Sequence, residues 1–364
     1  MRILVVSDLH LGARTGVDLL RRPAARAALL DRLDGADRLV LLGDTLELRH
    51  GPVREALGAA RPVLKSIGAA MRGGEVVLVA GNHDHRLVAP WLETRGDGWR
   101  PPPLSLEERA GPHATAATAA IAEMLAPATL DVAYPGVWLA DGVYATHGHY
   151  VDRHSTVPSF ERLSAGALGR VLGDRAEDIS APDDYEVVLA PIYALLDAVA
   201  ARTPDGRGPS HAHASTRAWR ALAGDGDRPL RRWLLAGAFP LGVGAINRAG
   251  IGPFRADVSG PELRRAGLRA MREVIARLRV DATHVIFGHT HRGGPLPADD
   301  PGDWTLPGGG RLWNTGSWVY ERPWTSAGPG GPYWPGGVVE LDDAGPPRRA
   351  GLLDGLDAAA LLAN

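Results

Sequence analysis

Short apolar runs alternate with longer amphipathic stretches over the first 80 residues of the chain. Residues 2–7, Arg38–Leu42 and Glu75–Ala80 have the pattern of buried strands. The stretches between them, at about 18–34 and 53–72, have helical periodicity. This alternation predicts a βαβαβ unit with a parallel sheet, whose ligand-binding groups gather at the carboxyl ends of the strands.

The pattern becomes less regular after residue 85. The later elements that it predicts are a helix at about 105–126, strands at Gly136–Ala140 and Gly142–Thr146, a helix at 262–279, and strands at His284–Phe287, Arg311–Trp313 and Gly337–Leu341. The segment from about 151 to 262 interrupts this order. It contains helical patterns at 161–173, 185–202 and 214–222, and an apolar, glycine-rich stretch from Trp233 to Gly252.

These patterns predict a core formed by residues 1–150 and 271–345, with a helical insertion at 151–270. Two interpretations of the insertion stay open. In one, its apolar stretch forms a cap over a functional site. In the other, the stretch packs helices onto the core or forms a contact between two copies of the chain.

Composition narrows the class of protein. The chain has 364 residues, of which 45% are hydrophobic, and this is enough for a large core. Its apolar runs fall short of the roughly 18 residues that a membrane helix needs. Its first residues predict a strand rather than a signal peptide. The sequence contains no cysteine, so disulfides and thiolate metal sites are excluded, and the cytoplasm is the expected location.

Polar motifs follow the predicted strands. They are Asp8-Leu9-His10, Gly43-Asp44, Gly81-Asn82-His83-Asp84, Thr146-His147-Gly148-His149 and Gly288-His289-Thr290-His291. Each motif is common in proteins when it stands alone. Together they supply carboxylate, amide and imidazole groups at strand ends. Such oxygen and nitrogen ligands predict a site for divalent metal ions.

The spacing of these residues suits a pair of cations about 3.5–4 Å apart. Asp8 and His10 are two residues apart on an extended segment, so their side chains share a face and can bind one ion together. His289 and His291 repeat this geometry at another strand end. Asp44, on a sharp turn after a buried strand, is placed to bridge the two ions.

The remaining motif residues complete the predicted chemistry. Asn82 offers a carbonyl oxygen to the second ion, and His147 completes the ligands of that ion. Two such ions hold phosphate oxygens and lower the pKa of a water between them, which gives a hydroxide that attacks phosphorus. We expect His83 to stand just outside the metal pair and to protonate the leaving group. Asp84 is the predicted partner that orients the His83 ring and raises its pKa.

In this order, the motifs resemble those of the calcineurin-like metallophosphoesterase superfamily: D-x-H, G-D-x-x-[D/E], G-N-H-[D/E], one or two histidines, and G-H-x-H. Asn314-Thr315-Gly316-Ser317 matches the N-x-G-S element that follows them in the family. The resemblance implies an α/β fold, a four-layer α/β/β/α sandwich, here with a helical insertion. It also implies two metal sites with His83 as the acid beside them. The first would consist of Asp8, His10, Asp44 and His291, and the second of Asp44, Asn82, His147 and His289.

One branch of the family is closest in its second motif. Glu47 stands where many members have Asp, and this is similar to enzymes that hydrolyse UDP-2,3-diacylglucosamine, a lipid precursor with a pyrophosphate. Those enzymes also carry a helical insertion, as this chain does between His149 and His289. They often have Arg at the position of His83, and the chain departs from them there.

Two residues beside the motifs are candidates for substrate contact. The planar guanidinium of Arg86 suits two phosphate oxygens at once, and the alternative is a solvated surface arginine. His149 either touches the phosphate of the substrate or forms hydrogen bonds behind the metal ligands.

The predicted activity is hydrolysis of a phosphodiester or pyrophosphate by metal-bound hydroxide, with Mn²⁺ as the expected metal and Fe, Zn or Mg as alternatives. A phosphomonoesterase and a cyclic-nucleotide phosphodiesterase are alternative activities. A scaffold that kept the fold without catalysis is the alternative from another class. The net charge of -2 argues against a stable complex with nucleic acid. We therefore expect a phosphorylated small molecule, nucleotide or lipid as the substrate. We expect no transmembrane segment, while peripheral membrane contact and the oligomeric state are left open.

Overall fold

A computed structural model describes residues 1–95, 102–157, 160–173, 178–202, 243–244, 246–249, 251–255, 260–343 and 345–363. The described strands are β1 Ile3–Val6, β2 Arg38–Leu42, β3 Glu75–Val79, β4 Glu107–Arg109, β5 Thr129–Ala140, β6 Val143–Thr146, β7 His284–Phe287, β8 Arg311–Asn314, β9 Gly337–Leu341 and β10 Arg348–Gly351. The described helices are α1 Pro23–Leu33, α2 Val53–Met71, α3 Ala89–Thr94, α4 Ala116–Leu125, α5 Phe160–Leu172, α6 Pro182–Arg202, α7 Gly260–Arg277 and α8 Ala358–Leu362.

Strand β5 links two halves of a sheet whose order is β10-β9-β1-β2-β3-β5-β6-β7-β8, with β4 paired to β5. The first part of β5 pairs in parallel with β3, and its second part pairs antiparallel with β6. In the first half, β1, β2 and β3 run parallel, as the alternation of strands and helices predicts. In the second half, β6, β7 and β8 run parallel. The long strand thus carries the chain from one sheet half to the other.

Both faces of the first sheet half are buried, which explains why its strands are apolar on both sides. Leu4 and Val6 of β1 face a core that also contains residues of α1, α2 and α4. Ile3 and Val5 face the other way, into a core shared with residues of β6 and β7. One helix layer and two sheet layers therefore pack on one another. The predicted mixed α/β class is confirmed, and the fourth layer stays a prediction.

The prediction of a single helix at about 105–126 is wrong. Its first part forms β4, because these residues pair with β5. The helix α4 begins only at Ala116, behind a capping residue. Thr115 is that cap, since its hydroxyl accepts a hydrogen bond from the Thr118 amide at 3.2 Å. Such a cap marks the first residue of a helix, because it satisfies a free amide of the first turn.

The chain divides into two compact units. The first consists of Met1–His149, Leu196–Gly206 and Val280–Asn364, and the second of Tyr150–Leu195 and Arg207–Arg279. The helix predicted at 214–222 and residues 233–242 of the apolar stretch lie outside the described residues. The role of the insertion, as a cap or as a structural support, stays a prediction. None of the helices in the described ranges has the length and apolarity of a membrane span.

The described part of the second unit contains a buried aromatic group. Tyr150 and Tyr185 stack with their ring centroids 4.3 Å apart. His154 Nε2 lies 2.8 Å from the Tyr185 hydroxyl. Burial, together with the charge of Arg277, lowers the pKa of His154 to about 3. The His154 ring is therefore neutral and shares a hydrogen bond with the Tyr185 hydroxyl.

Candidate metal centre

Strand ends of both sheet halves carry the predicted metal ligands. Asp8 and His10 follow β1, Asp44 follows β2, Asn82 follows β3, His147 follows β6, and His289 and His291 follow β7. Parallel strands present their carboxyl ends at the same edge of a sheet. The structure accordingly brings all seven side chains into two adjoining clusters.

The first cluster consists of Asp8, His10 and His291. His291 Nε2 lies 3.3 Å from Asp8 Oδ1 and 3.2 Å from His10 Nε2. Asp8 Oδ2 accepts a hydrogen bond from the His289 amide at 3.0 Å. Asp8 Oδ1 is buried, and within the described part of the chain it accepts none. A buried carboxylate oxygen without a donor is suited to bind a cation.

The second cluster lies around Asn82. Its Oδ1 atom lies 3.2 Å from His147 Nε2 and 3.1 Å from His289 Nδ1. Asp44 Oδ2 lies 3.3 Å from His147 Nε2 and 3.7 Å from His10 Nε2. The Asp44 carboxylate therefore faces both clusters, as a bridging ligand must.

The arrangement of acceptors in the second cluster fits a metal ion. His147 Nδ1 donates a hydrogen bond to the Leu42 carbonyl at 2.9 Å, so His147 Nε2 is the nitrogen that can bind a metal ion once it has lost its proton. The Asn82 oxygen faces this nitrogen, so in the neutral ring two lone pairs point at each other. A divalent cation between them resolves this conflict. With the Asn82 amide turned over, an N–H group would point inwards instead, so only the orientation shown ligates a metal.

The backbone of the ligands is strained. Positive φ angles occur at Asp8 (55°), His10 (45°), Asp44 (51°), His289 (64°) and His291 (55°). Among the other non-glycine residues that the structure describes, only Arg72 and Arg279 have positive φ angles. Such conformations cost about 1–3 kcal/mol each and cluster at functional sites. The strain of this fold is thus concentrated where the ligands are.

Two glycines allow the turns after β2 and β3 to approach the ligands. A Cβ atom on Gly43 would lie 2.2 Å from His147 Nδ1, and one on Gly81 would lie 2.3 Å from Asp44 Oδ1. Gly43 also has a φ of 84°, which glycine adopts without steric cost. A side chain at either position would displace a ligand.

Carboxylates control the charge of the site. Burial favours the neutral ring of His10, but its hydrogen bond to Glu47 and the charge of Asp44 outweigh burial and raise the pKa of His10 to about 10. Burial also favours the neutral ring of His147, but the charge of Asp44 outweighs burial and raises the pKa of His147 to about 9. Burial also opposes ionisation of Asp44, yet the charges of His147 and His83 hold its pKa well below its usual range. The ionised carboxylates favour bound positive charge.

His83 stands beside both clusters, and Glu47 holds its ring. His83 Nδ1 lies 2.9 Å from Glu47 Oε2, and His10 Nδ1 lies 3.0 Å from the same oxygen. Each ring donates from Nδ1 to this carboxylate, which leaves Nε2 for other partners. The His83 side chain is 19% exposed. It can therefore meet a substrate that approaches from outside.

The Asp84 carboxylate binds backbone amides rather than the His83 ring, so the prediction that it orients this ring is wrong. Glu47 makes the predicted contact instead. Asp84 is fully buried, and each of its oxygens accepts two hydrogen bonds from the loops after β2 and β3. The four amides, at 2.7–3.2 Å, belong to Gly81, Asp44, Thr45 and Leu46. Asp84 thus ties the two loops together.

Asp84→Asn should loosen both loops. The new amide N–H would face backbone donors, so we expect the free energy of unfolding to fall by about 1–3 kcal/mol. Metal should also bind more weakly, because the Asp44 amide loses its acceptor. Chemical denaturation and metal titration measure the two effects. Asp357→Asn is the control: Asp357 caps α8 through the Ala360 amide at 2.8 Å, and asparagine caps equally well. Equal losses in both variants would contradict this role.

The two candidates for substrate contact lie in different surroundings. His149 is 1% exposed, and its Nε2 lies 3.2 Å from the Tyr134 hydroxyl. This placement favours the hydrogen-bonding alternative for His149. Arg86 is exposed on the short 3-10 helix His85–Leu87. Its contact with phosphate stays a prediction.

Two residues have structural roles that the sequence did not assign. Asn314 Nδ2 donates to the Gly288 carbonyl and to Thr290 Oγ1, both at 3.0 Å, and so fixes the turn that carries the last two histidines. Its position in the N-x-G-S element was the signal. Glu47 joins His10 to His83 through one carboxylate. Its place three residues after Asp44 was the only sequence signal for that role.

Comparison with known protein families shows the class of protein to which these clusters belong. The family model of the calcineurin-like phosphoesterases matches residues 1–224, which is more than half of the chain. The chain therefore belongs to the calcineurin-like phosphoesterase family and is a metal-dependent phosphoric ester hydrolase. The family and the clusters imply two divalent metal ions.

Other comparisons add little. No curated protein sequence matches the chain. Among solved structures, the chain is similar to a dimetal phosphatase from Danio rerio at 13% sequence identity. The match covers 94% of this chain and 93% of that chain, with a TM-score of 0.37. A likeness this low carries no argument about function.

Proposed function

We propose that the protein hydrolyses a phosphodiester or pyrophosphate bond, with two divalent ions held by the residues of the two clusters. The observation that carries this proposal is the Asp44 carboxylate, which faces both clusters and has the His83 ring beside it. When bound, two such ions supply Lewis acidity and lower the pKa of a coordinated water. Mn²⁺ is the proposed metal, because ligand sets of oxygen and nitrogen accept it readily.

The residues beside the clusters support cleavage of an ester with a poor leaving group. Glu47 accepts a hydrogen bond from His83 Nδ1 and so favours the protonated ring, but burial outweighs this contact and lowers the pKa of His83 below its usual value. When protonated, the ring can give its Nε2 proton to the leaving oxygen. An acid at this position helps the cleavage of any ester whose leaving group is a strong base. The resemblance of the motif that contains Glu47 supports phosphodiesters and pyrophosphates, with phosphomonoesters and cyclic nucleotides as the alternatives to be tested.

The test is hydrolysis of bis(p-nitrophenyl) phosphate and p-nitrophenyl phosphate by Mn²⁺-reconstituted protein. We expect the diester to be cleaved faster than the monoester. Removal of metal with a chelator should stop the reaction, and added Mn²⁺ should restore it, since the water is activated only by bound metal. Cleavage of the monoester alone would redirect the proposal to phosphatases. If the protein cleaved neither ester and bound no metal, the result would support a scaffold without catalysis.

The proposed substrate is a phosphorylated small molecule, nucleotide or lipid. The near-neutral net charge of -2 supports a small substrate over a stable nucleic acid complex. The cytoplasm is the proposed location, which the lack of cysteine supports.

A further inference from the structure

A buried group of nitrogen donors lies next to the last motif of the metal centre. Arg292 directly follows His291 and is 5% exposed. Its guanidinium carbon lies 4.8 Å from the centre of the Trp304 ring, and its Nη2 donates to Asp299. Within the described part of the chain, Arg292 Nε and Nη1 have no hydrogen-bond acceptor, and neither has Trp304 Nε1. Three buried donor atoms therefore need partners.

Arg349 adds a second guanidinium to this group. Its Nε is also buried without an acceptor among the described residues. Burial lowers the pKa of Arg349; Asp354 opposes this, and the nearby charge of Arg292 adds to it. A Cβ on Gly293 would lie 2.4 Å from Arg349 Nη2, and one on Gly294 would lie 2.8 Å from Arg292 Nη1. Because these two adjacent residues are glycines, both guanidiniums can approach the backbone closely.

Such a group calls for a bound oxyanion. Buried N–H groups almost always have an acceptor, and buried charges are almost always paired. Asp299 supplies one carboxylate to Arg292, while in the described ranges Arg349 has no carboxylate within 4.0 Å, although the charges of Asp354 and Asp299 act on it. A tetrahedral oxyanion brings negative charge and several oxygens, and a guanidinium can bind two oxygens at once.

We propose that Arg292, Arg349 and Trp304 form a binding site for a phosphate group, separate from the metal pair. This phosphate belongs either to a substrate or product with a second phosphoryl group, or to free inorganic phosphate. The first source rests on the proposed function, whereas the second does not. Arg292 directly follows His291, so the site and the first metal cluster share one loop of the chain.

Equilibrium binding of radiolabelled inorganic phosphate to the metal-loaded protein tests the site. We expect one phosphate at the metal pair and another at the arginines. Arg349→Gln should weaken the second by roughly 10- to 100-fold and leave the metal content unchanged, because it removes charged hydrogen bonds. Arg349→Lys, which keeps the charge but not the fork, should bind with intermediate affinity. Identical phosphate binding by the parent and both variants would overturn the proposal.

Arg311→Gln is the matched control. Arg311 also lies over a tryptophan, with its guanidinium carbon 5.6 Å from the Trp313 ring centre, but it is exposed. This variant should bind phosphate as the parent does. Asp44→Ala separates the two proposals, since it should lose the phosphate at the metal pair and keep the one at the arginines. If the parent protein itself bound no metal and had no activity, the proposed hydrolase would be refuted, while phosphate binding at the arginines could still be measured.

Binding of AMP and ADP distinguishes the two sources of phosphate. If Arg349→Gln weakens the binding of ADP much more than the binding of AMP, the second phosphoryl group of a ligand occupies the site. If it weakens inorganic phosphate but affects AMP and ADP equally, the site takes free phosphate. If none of the three ligands is affected, only water satisfies these donors, and the proposal is wrong.

Discussion

Asp44→Ala should remove both metal ions and the activity together. Asp44 Oδ2 is the carboxylate oxygen that faces both clusters, at 3.3 Å from His147 Nε2 and 3.7 Å from His10 Nε2. Its Oδ1 also accepts the His83 amide at 2.8 Å. One substitution therefore removes a shared ligand and an anchor of the next motif. We expect turnover of bis(p-nitrophenyl) phosphate to fall by about 10³-fold or more, since paired metals supply several kcal/mol of transition-state stabilisation.

The measurement combines metal analysis of the purified variant with the rate on the diester. Glu340→Gln is the matched control, because Glu340 is another buried carboxylate, 7% exposed, whose partner is Arg32. It should lose some stability but keep its metals and its rate. An Asp44→Ala variant that kept both metals would show that other groups bridge them. A variant that lost the metals but kept the rate would refute metal-dependent hydrolysis.

The sequence predicted the convergence of these side chains, because it depends on one simple feature. An apolar run that is buried on both faces predicts a strand, and the polar residue after it lies at the edge of the sheet. Asp8, Asp44 and Asn82 follow such runs, so their convergence required no knowledge of side-chain orientation. The positive φ angles of Asp8 and Asp44 were not visible in the same way, since strain is a property of the folded backbone.

The partners of the ligands could not be predicted by the same means. Asp84 is adjacent to His83 in the sequence, yet it points to the amides of Thr45 and Leu46. Glu47 reaches His83 from a different loop. Both contacts depend on how two turns pack against each other, and neighbours in sequence often point in opposite directions. The capping of α4 by Thr115 was missed for a related reason, because a helical pattern alone does not fix where a helix begins.

His83→Ala should slow turnover while both clusters keep their metals. His83 is held by Glu47 through Nδ1 and is not among the predicted metal ligands, although its ring lies edge-on to that of His10, with the ring centroids 4.7 Å apart. Loss of a general acid typically costs about 10²- to 10⁴-fold in rate. Metal content and diester turnover, measured on the same preparation, check this expectation. His113→Ala, which removes an exposed histidine, is the control and should change neither quantity.

The way in which the rate loss of His83→Ala depends on the leaving group shows whether His83 acts as a general acid. A p-nitrophenolate leaves without a proton far more readily than an unsubstituted phenolate or an alkoxide. His83→Ala should therefore slow methyl phenyl phosphate more than methyl p-nitrophenyl phosphate, because only the poorer leaving group needs the proton. Glu47→Gln should affect both esters and also weaken metal binding, since Glu47 holds His10 as well as His83. An equal loss on both esters in His83→Ala would assign His83 to phosphate binding, and no loss on the poorer one would remove it from the mechanism.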